Sequence, residues 1–380
     1  MKISTFFKTI LSAAMISVMA LSMAACGAET QSTSSPAETQ AADQPAGQPA
    51  DQTAGQATDQ AKDSSYPDKV TLVWYPNESA ADYQPARDEF AKLIKQATGK
   101  EVEHKLTTDY AIAIEALASG TAQICFMGAQ GYIEANQRSA DVKPLFVNSG
   151  ASGTLDDAIY YSWFAVNKGQ ESNYMINGEY AIDNVQGKKM SFVSNSSTSG
   201  FKVPTNAIIT LFSKQDKWKS ITADNLIEGG KDQFFSEVLF GGSHQGSAVN
   251  LLTGKADIAA FCDTELAAYM NLVSGDQNKA GAVYEVKADA SAPFDALKGK
   301  QCVIIQSTPV LNGPFACNSK TLSPDDVKKL QELFTSDEIA GNPQIFVQKD
   351  SGLVGMFKKT DKERFVLVED AWFNPIREMK

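Results

Sequence analysis

Residues 113–127, AIEALASGTAQICFM, and residues 247–261, SAVNLLTGKADIAAF, share one pattern and decide the fold. Each reads as a helix, a glycine that ends it, and a buried strand. Four positions match at one constant offset: Leu117 with Leu251, Gly120 with Gly254, Ala122 with Ala256, and Ile124 with Ile258. The repeat predicts two α/β lobes built from equivalent units.

The chain before the first repeat alternates apolar runs with amphipathic stretches. A strand at 70–75, a helix at 84–97, a strand at 102–106, a helix at 110–118 and a strand at 122–127 fit the pattern. Strands that alternate with helices at this spacing are typical of a parallel, doubly wound sheet. We therefore expect an α/β fold with parallel sheets.

The lobes are expected to be discontinuous in sequence. The first would span 66–165, the second 166–306, and residues 307–380 would return to the first. Strands 161–166 and 302–306 would then cross between the lobes, which is the connection of a hinged, two-lobed binder.

The N-terminus has the features of a secretory signal. Residues 1–25 contain a basic start and a short apolar run, and end in small residues before Cys26. This resembles a bacterial lipoprotein signal, in which Cys26 is lipidated. Residues 26–65 have almost no large apolar side chain and predict a disordered tether. We expect a receptor that is lipid-anchored at the outer face of the bacterial cytoplasmic membrane.

Composition excludes several classes of function. The formal net charge of −11 argues against nucleic-acid binding. The chain has two histidines, His104 and His244, and its cysteine spacing matches no metal pattern, so neither a metal site nor a cofactor is expected. The cysteines of the folded part, 125, 262, 302 and 317, are either buried small hydrophobes or disulfide partners.

A hydroxyl-rich turn is the main candidate site. A predicted strand at 189–193 leads into NSSTSG at 195–200 and then into an apolar helix. Unpaired N–H groups at a helix start bind anions, and Ser and Thr add neutral donors. Similar turns between a strand and a helix occur at 107–110 and 128–132, so facing helix N-termini are expected to hold an anion.

Several ordered motifs resemble the phosphonate/phosphite/phosphate-binding proteins of ABC transporters. The segment 197–204, STSGFKVP, is similar to the family's S-T-S-G-aromatic-x-V-P signature. The family's D-Y-A, Y-x-S and F-S-G-S-H motifs resemble residues 109–111, 160–162 and 240–244, and its return turn resembles 308–314. The resemblance implies a two-lobed, periplasmic-binding-protein-like fold of type II with a hinged cleft, and a membrane permease as partner.

The resemblance also implies a set of ligand-binding residues, by position in these motifs. The phosphorus oxyanion would be bound by Tyr110, Tyr160, Ser197, Thr198, Ser199 and His244. Asp263, which follows the second repeat strand, would occupy the family's acidic position. A carboxylate only accepts hydrogen bonds, so Asp263 would need a P–OH or an amine on the ligand.

Two departures from the family pattern bear on the ligand. Gly313 and Gln245 stand where members that bind aminoalkylphosphonates often have acids. Losing both would leave a ligand ammonium poorly paired. We therefore expect a compact oxyanion, namely phosphate, phosphite or an alkylphosphonate.

Two alternatives remain open from the sequence. A receptor for another small organic anion, such as a sulfonate, would use the same fold and the same helix dipoles. A hydrolase would pair Ser199 or Ser197 as nucleophile with His244, but the chain has no G-x-S-x-G motif and no placed base. We expect a receptor and not an enzyme.

Overall fold

The computed structural model describes residues 65–348, 351 and 353–380. The predicted signal peptide, Cys26 and the tether lie outside the described residues. Within them, the strands are β1 Lys69–Trp74, β2 Glu101–Leu106, β3 Ile124–Phe126, β4 Val142–Asn148, β5 Ile159–Asn167, β6 Met175–Ile176, β7 Glu179–Tyr180, β8 Lys189–Phe192, β9 Glu237–Phe240, β10 Ile258–Cys262, β11 Met270–Ser274, β12 Val283–Val286, β13 Gln301–Leu311, β14 Pro314–Asn318, β15 Phe346–Gln348, β16 Phe357–Lys359 and β17 Phe365–Val366.

The helices expected at 84–97 and 110–118 are both present, as the first two of nine helices in the described residues. They are α1 Gln84–Thr98, α2 Tyr110–Ala118, α3 Ala129–Arg138, α4 Val203–Phe212, α5 His244–Leu252, α6 Asp263–Leu266, α7 Pro324–Phe334, α8 Asp337–Ala340 and α9 Asn374–Arg377. Gly99 ends α1 with a φ of 69°, and its N–H donates to the Lys95 carbonyl. A left-handed residue at this position is the usual reason for a glycine after a helix.

Two mixed sheets form the framework. The first sheet has the order β17-β4-β14-β3-β1-β2, and the second has the order β11-β12-β13-β5-β10-β8-β9. Each sheet contains one helix–strand unit of the repeat, α2–β3 in the first and α5–β10 in the second.

The predicted parallel arrangement is present in β1, β2 and β3, but neither sheet is parallel throughout. β1 is parallel to β2 and β3, but β14 runs antiparallel between β3 and β4. In the second sheet, β5 is antiparallel to both β10 and β13. The antiparallel direction follows from the path of the chain. β5, β13 and β14 lie where the chain passes between the two sheets, so they enter a sheet from the end opposite to the repeat strands.

Each sheet is covered on both faces by apolar side chains. In β1, Leu72 and Trp74 pack on one face with Phe90, while Val73 packs on the other face with Ile114. The second sheet likewise separates two apolar clusters, one around Phe192 and the other around Trp163. Burial on both faces is why the repeat strands read as continuous apolar runs.

The crossing strands form one long ribbon. β5 pairs with β13 from Ile159 opposite Leu311 to Asn167 opposite Cys302, with an irregularity between Ile304 and Gln306. β10 adds to β5 only from Ser162 to Val166. The expected lobe boundaries at 165/166 and 306/307 therefore fall inside the second sheet, and residues 159–161 pair with β13 but not with β10.

Candidate functional site

A cavity of about 80 Å³ lies between the two sheets. Its walls come from the ends of β1, β3 and β10, from the hydroxyl-rich turn after β8, and from the turn between β13 and β14. α/β proteins bind ligands at the carboxyl ends of their strands. Of the seven residues expected to bind the ligand, six line this cavity: Tyr110, Tyr160, Ser197, Thr198, Ser199 and His244.

The hydroxyl-rich turn is held by its own polar atoms. The Ser197 hydroxyl accepts the Gly200 N–H at 3.1 Å and caps the turn Thr198–Lys202, which continues into α4. A side chain at Gly200 would put its Cβ 2.2 Å from Val193, so only glycine fits. Ser162 donates to the Ser199 carbonyl at 2.6 Å and fixes the turn from β5.

Ser199 and Thr198 play different parts in this turn. The Ser199 side chain is buried, and its hydroxyl has no hydrogen-bond partner among the described residues. A buried hydroxyl without a partner costs free energy, so it is suited to a ligand atom. The Thr198 hydroxyl instead accepts the Gln130 N–H at 2.9 Å, at the start of α3. A Cβ at Gly128 would lie 2.7 Å from that hydroxyl, which explains the glycine there.

Tyr110 is oriented by a residue that the sequence analysis did not identify. Asn77 donates to the Tyr110 hydroxyl at 2.7 Å, so the tyrosine's own proton is left to point elsewhere. The ring centroid of Tyr110 lies 4.1 Å from that of Tyr75. Burial raises the pKa of Tyr110 and of Tyr160. Both phenols therefore remain neutral donors.

His244 is the first residue of α5 and is a neutral donor as well. Its Nδ1 accepts the Cys262 N–H at 3.1 Å, which assigns the proton to Nε2. Burial lowers the pKa of His244 to about 3. Its backbone N–H donates to the Asn77 side-chain oxygen at 3.1 Å, so the loop after β1 contacts the start of α5.

Asp263 is the one expected residue that the structure places outside the cavity wall. Its carboxylate accepts the Tyr161 N–H at 2.9 Å and an Asn278 amide N–H at 3.0 Å. It lines a neighbouring cavity, beside Trp163 and Lys358. Both oxygens thus serve the protein, and burial raises the pKa of Asp263.

Two other acids line the cavity in its place. Glu78 follows β1, and Glu265 lies in α6, two residues after Asp263. Burial raises the pKa of Glu78 and raises that of Glu265 to about 7. Asn77 and Glu78 were missed, although the available signal was the same one used for Asp263, a polar residue at the carboxyl end of a buried strand.

The described residues contain no other candidate chemistry at this site. The four cysteines of the folded part are free and buried, which settles the alternative left open by the sequence. Within residues 65–348, 351 and 353–380, no cluster of three or more His, Cys, Asp or Glu side chains is arranged to hold a metal ion. In that same part of the chain, none of the helices has the length and apolar character needed to cross a membrane.

Comparison with known proteins assigns the chain to a family. The family model described as "ABC transporter, phosphonate, periplasmic substrate-binding protein" matches residues 72–373. The chain is 25% identical over 279 residues to the phosphate-import protein PhnD of Mycolicibacterium smegmatis, covering 72% of this chain and 73% of that protein.

Solved structures show the same fold. A binding-protein component of an ABC phosphonate transporter from Pseudomonas aeruginosa aligns with a TM-score of 0.55 at 18% identity, over 82% of this chain and 85% of that one. PhnD1 of Prochlorococcus marinus, solved with methylphosphonate, aligns with a TM-score of 0.56 at 16% identity, over 82% and 97%. The match over residues 72–373 establishes that this chain belongs to the periplasmic substrate-binding proteins of phosphonate ABC transporters.

Proposed function

We propose that this protein binds a small phosphorus oxyanion, namely phosphate, phosphite or a short alkylphosphonate, by closing its two sheets around it. The observation that carries the proposal is the buried Ser199 hydroxyl, which lines the cavity and has no hydrogen-bond partner in the part of the chain that the structure describes. The ligands named for the Mycolicibacterium and Prochlorococcus relatives, phosphate and methylphosphonate, support the same class.

The proposed ligand contacts are all made by neutral donors. The hydroxyls of Ser199, Tyr110 and Tyr160 and the Nε2–H of His244 would surround the oxyanion, with Ser197 and Thr198 shaping the turn. Hydrogen bonds from neutral groups to an anion are charge-assisted and strong in a closed cavity. The small volume favours a compact ligand over one with a long substituent.

A sulfonate is the weaker candidate. Glu78 and Glu265 line the cavity, and a carboxylate needs a donor on the ligand. Phosphate, phosphite and singly protonated alkylphosphonates carry a P–OH, whereas a sulfonate monoanion has no proton to donate. The acids therefore favour phosphorus over sulfur in this site.

The acids also bear on aminoalkylphosphonates. At Gly313 an acid is sterically excluded, because a Cβ would lie 2.1 Å from the Met127 carbonyl oxygen. Glu78 and Glu265 nevertheless bring two carboxyls to the cavity by another route. The proposed ligand remains a compact oxyanion. Because these two acids could pair with an ammonium group, the affinity for an ammonium-bearing ligand must be compared with the affinity for the compact oxyanions.

Calorimetry tests the proposal by comparing the affinities of four ligands: phosphate, phosphite, methylphosphonate and 2-aminoethylphosphonate. We expect the first three to include the tightest ligand, and sulfate and methanesulfonate to bind much more weakly. If 2-aminoethylphosphonate binds at least tenfold more tightly than the other three, the compact-oxyanion proposal is wrong. Tight sulfonate binding would instead support the alternative receptor.

We propose a receptor without catalytic activity. A hydrolase would need His244 as the base for Ser199, but Nδ1 of His244 already accepts the Cys262 N–H and burial lowers its pKa to about 3. A base with so low a pKa is a poor acceptor for a serine proton. Turnover of a chromogenic phosphoester would contradict this.

The anchoring and partner proposals rest on the sequence and on the family. Lipidation at Cys26 would hold the receptor at the outer face of the cytoplasmic membrane, where it would deliver its ligand to the permease of an ABC importer. The lobe bounds 66–165, 166–306 and 307–380 remain a proposal, with one revision. We place the hinge at residues 159–161 and 309–311, because β10 pairs with β5 only from Ser162 onward.

A further inference from the structure

Two acids that face one cavity come from opposite sides of the cleft. Glu78 follows β1 of the first sheet, and Glu265 follows β10 of the second. Only 4% of Glu78 is exposed, and its Oε2 has no hydrogen-bond partner within the described residues. Opening the cleft would separate the two carboxyls and hydrate both of them. Closing it brings them together around the space assigned to the ligand.

No cation compensates the pair among the described residues that line the cavity, since none of them is Lys or Arg. Arg87 is close, but its guanidinium donates to the Glu78 and Ala80 carbonyls and to the Gln84 side chain. The nearest donor to Glu265 is the Gln245 amide, at a long 3.5 Å. An anion in this cavity would thus meet two carboxyls with little compensation.

Apart from Asp263 and Arg87, the other titratable groups around the pair are uncharged. Burial raises the pKa of four nearby phenols, those of Tyr75, Tyr83, Tyr110 and Tyr269. It also raises the pKa of the Cys125 and Cys262 thiols. His244 is neutral, and the remaining charges that face the pair are those of Asp263 and Arg87.

We propose that closure of the cleft on the anion takes up one proton, which Glu78 and Glu265 share, so that the protein binds its ligand together with a proton. The proton comes from solvent and resides between a carboxyl and either the other carboxyl or a ligand oxygen. The inference rests on the proposed function, because the anion must occupy this cavity.

Repulsion between negative charges favours this uptake of a proton. Two buried carboxylates beside an anion would be strongly repulsive in a medium of low dielectric constant, so one of them binds a proton instead. Burial already raises the pKa of Glu265 to about 7, and it raises that of Glu78 well above its usual range, before an anion is added. A carboxylic acid is also a donor, which converts repulsion into a hydrogen bond.

The pKa values of the two glutamates in the open and the closed cleft determine whether affinity rises or falls with pH. In the open cleft the glutamates are hydrated, with pKa values near about 4.3, and are ionised at neutral pH. In the closed cleft the pKa is higher, so the closed state holds more protons between about pH 4.3 and the closed-state value. The affinity for the anion should therefore fall as pH rises across this range, by up to about tenfold per pH unit.

The test is calorimetry of phosphate binding in buffers that differ in ionisation enthalpy. At about pH 5.5 free phosphate is already a monoanion. A proton taken up from the buffer on binding is therefore assigned to the protein. We expect uptake close to one proton per phosphate for the wild-type protein and close to zero for the double variant Glu78→Gln/Glu265→Gln. Glu134→Gln is the matched control, because Glu134 accepts from Ser196 but does not line the cavity; uptake should be unchanged.

Three results would overturn the inference. Phosphate could bind the wild type without proton uptake, or the double variant could retain the uptake. Alternatively, 2-aminoethylphosphonate could bind more tightly than phosphate with no uptake, which would show that the pair holds an ammonium. If no phosphorus anion binds at all, the proposed function fails rather than the proton inference. Circular dichroism checks that the double variant is folded.

Discussion

The backbone N–H of His244 donates a hydrogen bond of 3.1 Å to the side-chain oxygen of Asn77. The same Asn77 side chain donates to the Tyr110 hydroxyl at 2.7 Å. One amide therefore joins the loop after β1 to the start of α5 and also orients a residue expected to bind the ligand. Because the two residues belong to different sheets, we expect the contact to His244 to be lost when the cleft opens.

We expect Asn77→Ala to weaken phosphate binding about tenfold to a hundredfold, mainly by faster dissociation. Two buried hydrogen bonds are lost, each worth about 0.5–1.5 kcal/mol. Stopped-flow binding measures the two rate constants. Asn173→Ala, which removes an exposed amide, is the control. A slower association with unchanged dissociation would contradict a role in the closed state.

Ser199→Ala should lower affinity about tenfold to a hundredfold, because a charge-assisted hydrogen bond is worth about 1.5–3 kcal/mol. The thermal stability of the free protein should hardly change, since none of the described residues forms a hydrogen bond with this hydroxyl.

Thr198→Val should behave differently from Ser199→Ala. It removes the acceptor of the Gln130 N–H, so the contact between the hydroxyl-rich turn and α3 is lost as well. We expect weaker binding together with a less populated closed state, measured by X-ray scattering at saturating ligand. Wild-type affinity in both variants would mean that the turn only caps a helix.

Gly313→Asp should not convert the protein into an aminoalkylphosphonate receptor. A Cβ at this position would lie 2.1 Å from the Met127 carbonyl oxygen, so the backbone must move. We expect lower thermal stability and loss of binding for every ligand, and Gly313→Ala should show most of the same effect. At Gly341 the nearest atom to an added Cβ is 3.5 Å away, so Gly341→Ala is the matched control. A gain of affinity for 2-aminoethylphosphonate would refute this.

Cys26→Ala should release the protein from the membrane or block its processing. The reason is the sequence alone: small residues lead to Cys26, and a segment with few large apolar side chains follows it. Fractionation of cells that express either form measures the distribution. Membrane association that survives the substitution would contradict lipidation.

Local patterns were sufficient to predict much of the fold. The helix expected at 84–97 is α1, Gln84–Thr98, because its apolar spacing and its terminal glycine are local properties. The repeat predicted a helix–strand unit in each sheet. Strand direction was not predictable in the same way, since the antiparallel placement of β14 depends on which sheet the chain returns to.

The residues of the candidate site likewise fall into two groups, those that local sequence patterns could predict and those that they could not. The hydroxyl-rich turn, Tyr110 and His244 were predicted because motifs mark them. Asn77 and Glu78 carry no such motif, and only the folded chain brings them opposite α5. The position of Asp263 at the end of a buried strand was not sufficient to place its side chain in the cavity. Its side chain is directed to the Tyr161 N–H, and Glu265, two residues later, reaches the cavity instead.

The lack of a Lys or Arg among the described residues of the cavity wall has a consequence for the rate of ligand capture. The chain carries a formal net charge of −11, so an approaching anion is repelled over the Debye length and finds no Lys or Arg among the described residues of the cavity wall. Raising the ionic strength should therefore speed association, the reverse of what is seen with basic anion receptors, and leave dissociation nearly unchanged. A protein of this design would collect its ligand more readily in brackish water than in fresh.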